Sequence, residues 1–290
     1  MQVVVDILKI LFFPGLLFMA ISGSLLLLVE GGVRSLLWGG KNAAFLKVGS
    51  HTASGALSLS RLITIIISLL SLGLAALLLI DGKGNIFTLI LLLSAVDLIP
   101  LAGWIGTSQR RIAYLPVVLR ASFIRMMTFF LVGVSVSLRS PDSFLANLDS
   151  YRDGGCFEMI SRWNGYRYWL VLAALVLSLL ALFLFDLGGP IYAFIAEEKV
   201  DVAKGISIFL ARGAERALTV LAVIIIFLGY PWTGWTGIAA WSGAVFGAAV
   251  AMAAIRAAAG GRDRVTIRRW RSIGFLLALV SMAAAVTAAW

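Results

Sequence analysis

The chain has one cysteine, Cys156, and one histidine, His51, in 290 residues. A lone cysteine excludes an intramolecular disulfide and any multi-cysteine metal or iron–sulfur site on this chain. A lone histidine removes the usual zinc and haem constellations. Charge is also scarce: Asp, Glu, Lys and Arg make up 13% of the residues, roughly half their share in a soluble domain. No P-loop, dinucleotide fingerprint, Ser/His/Asp set or metal motif is present. The sequence therefore offers no catalytic centre of its own. The N-terminus lacks a signal-peptide cleavage pattern, and its first apolar run is long enough to read as a retained span.

Apolar residues are abundant instead, at 61% of the chain with a mean hydropathy of +1.01. They collect in eight runs, at about 3–28, 62–80, 86–105, 115–136, 168–185, 217–230, 237–259 and 273–290. A hydrocarbon core ~30 Å thick needs about 20 apolar residues per helix. Backbone groups in lipid must bond internally, which leaves helices or a closed barrel. The runs are continuous and lack the alternation of barrel strands. The expectation is an all-α integral membrane protein with about eight transmembrane helices, forming one polytopic domain over residues 1–290.

Orientation follows from the basic residues. Counted by side, 18 of the 24 lysines and arginines belong with the gaps after spans 1, 3, 5 and 7. The positive-inside rule then puts those gaps in the cytoplasm and both termini outside. The net charge of +10 is read as this topogenic excess, so no nucleic-acid partner is expected.

A few charges fall inside or beside the spans. Asp97 is near the middle of span 3, where an ionised carboxylate is costly unless it faces the bundle interior. It is expected near an arginine such as Arg120 or Arg125, or else protonated. Two readings stay open: a proton-path or gating carboxylate, and a structural ion pair or an aspartate beside the break at Pro100. Arg110, Arg111, Arg120 and Arg125 are either topogenic anchors snorkelling to the interface or groups that dock an acidic partner. Arg262, Arg264, Arg268, Arg269 and Arg271 have the same two readings, with anionic lipid as a further contact. Glu197, Glu198 and Asp201 lie in a mixed segment from Asp186 to Arg216, too long for a plain connector. They read as a cytoplasmic carboxylate cluster flanking an ion path, or as a solvated amphipathic face. Ile191–Leu210 is expected to lie partly in the membrane as a broken or interfacial helix.

The order of elements resembles the subunit-1 family of respiratory complex I and its relatives in membrane-bound energy-converting hydrogenases and sulfane reductases. That family has eight spans, long cytoplasmic loops after spans 1 and 5, and a basic approach to the last span. Phe13-Pro-Gly-Leu-Leu-Phe18 looks like the opening of the hydrogenase and sulfane-reductase versions. Phe185-Asp186-Leu187 is similar to the start of a family loop that continues with glutamates, where this chain has Gly188-Gly-Pro-Ile191. Glu30 and Arg34 correspond to the family's charged run after span 1. Arg262-Asp-Arg-Val-Thr-Ile-Arg-Arg-Trp270, leading into Gly274-Phe-Leu-Leu-Ala-Leu279, resembles its arginine-rich approach to the final span.

The resemblance implies a membrane-anchor and ion-coupling subunit of a redox-driven proton or sodium pump in a prokaryotic plasma membrane. Its implied partners are the peripheral-arm subunits of a hydrogenase-like or complex I-like assembly and antiporter-like membrane subunits. The NiFe centre and iron–sulfur clusters would sit in those partners, with no cofactor on this chain. Asp97, Asp186, Glu197, Glu198 and Asp201 become ion-path candidates. Glu30, Arg34, Arg110, Arg111, Arg120, Arg125 and Arg264 become docking or charge-coupling candidates. A stand-alone transporter or channel, and a non-pumping scaffold of such a complex, are the alternatives.

Overall fold

The computed structural model describes residues 16–38, 59–82, 84–102, 109–140, 143–144, 146–151, 155–187, 202–229 and 264–290, with isolated helical positions at 5, 7–8, 243, 246–247 and 250–251. Within these, seven long helices dominate: α1 (Leu16–Trp38), α2 (Leu59–Asp81), α3 (Ile86–Ala102), α4 (Gln109–Ser137), α5 (Tyr166–Leu187), α6 (Val202–Leu228) and α7 (Arg264–Ala289). The architecture is helical apart from one short antiparallel hairpin, β1 (Leu138–Ser140) with β2 (Ser143–Phe144).

Several helices outrun the apolar runs that mark them. Glu30 and Arg34 lie within α1 instead of after it, and Arg110 and Arg111 lie in the first turn of α4. Arg264 opens α7. The largest difference is in α6, which starts at Val202 and not near residue 217. The reason is physical: hydropathy reports where the residues are apolar, whereas the helix continues wherever its i to i−4 backbone bonds continue. Most of the expected seventh span, 237–259, lies outside the described residues.

Local chemistry fixes the turns. The Asn85 side chain accepts a hydrogen bond from Phe87 N–H at 2.9 Å and so caps the start of α3. Gly82 and Gly229, at φ of 64° and 86°, supply the left-handed residue just beyond α2 and α6.

One end of the bundle is closed by the segment between α4 and α5. Ile86 N–H donates to Ala146 O and Leu148 N–H donates to Gly84 O, both at 2.8 Å, joining this segment to the turn after α2. The Cys156 thiol donates to Ile226 O at 2.8 Å near the end of α6. Arg167 Nη2 donates to the main-chain oxygen of Trp290 at 3.2 Å. The ends of α2, α4, α6 and α7 and the starts of α3 and α5 therefore share this loop end. These are the gaps that the count of lysines and arginines assigned to the basic-poor side.

Two clusters form the core. One joins α1, α2, α3 and α6 around Met19, Leu72, Leu89 and Leu218, and the other joins α3, α4, α5 and α7 with Tyr151 and Trp163 of the closing segment. α5 and α7 make the most extensive helix contact, followed by α1 with α6. At the latter crossing Gly23 meets Gly213 so closely that a Cβ on Gly23 would overlap the Gly213 carbonyl. Between α4, α5 and α7 three buried hydroxyls interlock. Ser281 donates to Ala174 O at 2.8 Å and lies 2.9 Å from Ser135 Oγ and 2.6 Å from Ser178 Oγ.

Candidate functional site

The charges inside the bundle meet at one level. On α4, the Arg125 guanidinium forms an ion pair with the Glu215 carboxylate of α6. The two side chains are 12% and 7% exposed, so the pair is withdrawn from its surroundings. Arg125 also lies over the Phe129 ring, 5.1 Å from its centroid, which gives the cation a second favourable contact. Arg216, next to Glu215, is buried as well. A buried pair of this kind holds together because each partner offsets the other's lost hydration; removal of either leaves an uncompensated charge.

Helix geometry places this pair deep in the bundle. Arg125 is twelve residues from Ser137 and Glu215 thirteen from Leu228, the loop-end termini of α4 and α6. At ~1.5 Å per residue both lie about 18–20 Å from the loop end. Asp97 is eleven residues along α3 from Ile86, or about 17 Å from the same end. Antiparallel contacts between α3 and α4 fix the register independently. Phe87 packs on Phe130 with ring centroids 5.2 Å apart, and a Cβ on Gly133 would meet Ile90 and Ile86. Continued down the two helices, that register sets the Asp97 backbone level with Ser122 and the Ser94 backbone level with Arg125. The Asp97 side chain itself lies outside what the structure describes.

Toward the loop end this charged level is capped by apolar side chains. A cavity of about 50 Å³ lies there among α3, α4 and α6, lined by Leu89, Ile90, Val132, Ala222 and Ile226 with Phe129. The one hydroxyl in its wall, Thr219 Oγ1, donates to Glu215 O at 2.9 Å. The charges are thus separated from the loop end by an apolar layer about two helical turns thick.

No protein-family model matches the chain, and no curated protein matches it.

The sequence-derived candidates fare unequally. Arg125 is at the centre of the site and pairs with Glu215, a carboxylate not among the candidates; the expected Asp97 contact falls on a side chain outside the described residues. Arg120, five residues earlier on α4, is exposed. Glu30, Arg34, Arg110, Arg111, Asp186 and Arg264 have helical backbones, and their side chains lie outside the description. Glu197, Glu198 and Asp201 lie outside the described residues altogether. Glu215 was missed because the apolar run of span 6 begins two residues after it. The signal was available: Glu215 and Thr219 share a face with Ala222 and Ile226 at i, i+4, i+7 and i+11, the spacing of one inward stripe.

Among the described residues no three His, Cys, Asp or Glu side chains converge as a metal site. What the arrangement offers is a fixed carboxylate–guanidinium pair in a low-dielectric setting, where its field on neighbouring protons and ions is strong.

Proposed function

We propose that the chain is a multi-pass subunit of a prokaryotic plasma membrane that anchors the electron-transfer arm of a redox-driven ion pump. In this reading it couples the redox reaction to ion movement through the charged level of Arg125, Glu215 and Asp97. The redox centres belong to partner subunits of the energy-converting hydrogenase or complex I type, because one cysteine cannot hold a cluster here.

Two observations support a membrane setting. Tyr166–Leu184 and Arg269–Ala289 are long and apolar enough to cross a bilayer. Only 28% of each candidate window is buried inside the protein, whereas a core helix of a soluble protein would be mostly buried. The outward faces carry Leu91, Phe123, Leu180, Leu276 and Val280, all exposed and apolar. A surface of that extent is suited to lipid.

The observation that carries the ion-coupling reading is the Arg125–Glu215 pair. Ionisable groups within membrane helices are rare, face the interior, pair with one another and mark ion or proton routes. The pair sits level with Asp97, the acidic residue expected on such a route.

Mild-detergent purification of the tagged chain from its native membrane, followed by mass spectrometry and metal analysis, tests the reading. Co-purifying iron, nickel and arm-type subunits are the expected result. A lone, metal-free chain would contradict it and favour a stand-alone transporter using the same charged level.

A further inference from the structure

Several helix hydroxyls in this bundle satisfy themselves on their own backbone. Thr128 donates to Ile124 O at 2.8 Å, Ser135 to Leu131 O at 2.9 Å and Thr219 to Glu215 O at 2.9 Å. Ser94 and Ser122 do not, nor do Ser24 and Ser137 elsewhere in the bundle. Ser94 and Ser122 are almost completely buried, at 5% and 4% exposure, and among the described residues neither Oγ has a hydrogen-bond partner. A buried hydroxyl left unbonded is destabilising, and such groups are ordinarily met by protein or by ordered water.

Their location gives this a chemical meaning. Ser94 is one turn from Asp97 on α3, and Ser122 is one turn from Arg125 on α4. The antiparallel register sets Ser94 level with Arg125 and Ser122 level with Asp97, so the hydroxyls and charged residues alternate between the two helices.

We propose that Ser94 and Ser122 hold water between α3 and α4 beside the Arg125–Glu215 pair, giving a proton a hydrated step to the Glu215 carboxylate. This rests on the ion-coupling reading above and names the proton as the coupled ion. A bare metal cation is disfavoured at this level by the Arg125 and Arg216 guanidinium groups, whereas water can donate to carboxylates and accept from serines and arginines. The transfer balances: an O–H bond of an incoming hydronium breaks as an O–H bond forms on the Glu215 carboxylate, and neutral water is left.

The test uses the full chain in lipid nanodiscs, labelled radiolytically in ¹⁸O water, which marks side chains beside bound water. Phe129, buried against Arg125, is the reporter; Leu79 and Leu218, in the neighbouring apolar core, are the references. The expected result is label on Phe129 that falls to the reference level in S94A/S122A and persists in S94T/S122T. Redox-driven proton uptake by native vesicles should be lost in the alanine pair and retained in the threonine pair. Reporter labelling no higher than the references overturns the water site. Labelling with uptake indifferent to the two hydroxyls overturns the relay. The ion-coupling reading fails separately, if Glu215→Gln leaves uptake intact.

Discussion

Arg125 on α4 and Glu215 on α6 form a buried ion pair between two helices that otherwise have little direct contact among the described residues. The pair therefore has a structural consequence as well as an electrostatic one. Arg125→Gln or Glu215→Gln alone should lower stability by about 3–5 kcal/mol, because the remaining charge stays buried without its partner. The double replacement Arg125→Met with Glu215→Leu should recover most of that loss. Thermal unfolding in detergent, compared across the three variants, checks both outcomes. Equal losses in the double and single variants would show that the pair is not a unit.

The crossing of α1 and α6 depends on having no side chain at Gly23 and Gly213. A Cβ on Gly213 would come 2.7 Å from Ser24 N, which is backbone and cannot move aside cheaply. Gly213→Ala is expected to cost about 1–3 kcal/mol through overpacking. Gly32→Ala in the same helix as Gly23 meets nothing within 4 Å and should stabilise by about 0.5–1 kcal/mol through helix propensity. Melting temperatures of the two variants should move in opposite directions.

Ser281 is the hub of the hydroxyl cluster that ties α7 to α4 and α5. Hydrogen bonds between membrane helices average about 0.6 kcal/mol each and reach about 1.7. Ser281→Ala should therefore cost about 1–2 kcal/mol, and Ser135→Ala less, since its own proton stays on Leu131 O. Reversible unfolding in mixed micelles measures the difference; a larger loss for Ser135→Ala would contradict the hub assignment.

Cys156 is buried and holds the closing segment to α6 through Ile226 O. Its neighbour Gly155 packs so tightly on Phe227 that a Cβ would collide with backbone. A thiol-reactive dye should label the folded wild type slowly and Gly155→Val quickly, with both equally fast in denaturant. Since Cys156 is the sole cysteine, the rate reads this contact alone. Fast labelling of the folded wild type would show that the segment does not close the bundle as described.

Much of this architecture was legible in the residues, and the omissions have a common cause. Continuous apolar runs located α2, α3 and α5 to within a few residues, because outward-facing and core-facing positions in those helices are both apolar. Glu215 escaped notice for the converse reason. It stands in a stretch of α6 where Lys204, Arg212, Glu215 and Arg216 depress the local hydropathy, although the helix runs on through them. With Glu215 left inside the mixed segment before span 6, it was not weighed as a partner for Arg125; the inward stripe through Glu215, Thr219 and Ala222 could have pointed to it. The orphaned hydroxyls of Ser94 and Ser122 were beyond any sequence reading, since serine in a helix ordinarily bonds to its own backbone.

Ion uptake and electron transfer measured side by side in native membrane vesicles, wild type against Glu215→Gln, test the central claim most directly. The account predicts that Glu215→Gln keeps electron transfer and complex assembly while redox-driven uptake is lost. Uptake and electron transfer both at wild-type levels would contradict it and leave the buried pair a structural tie.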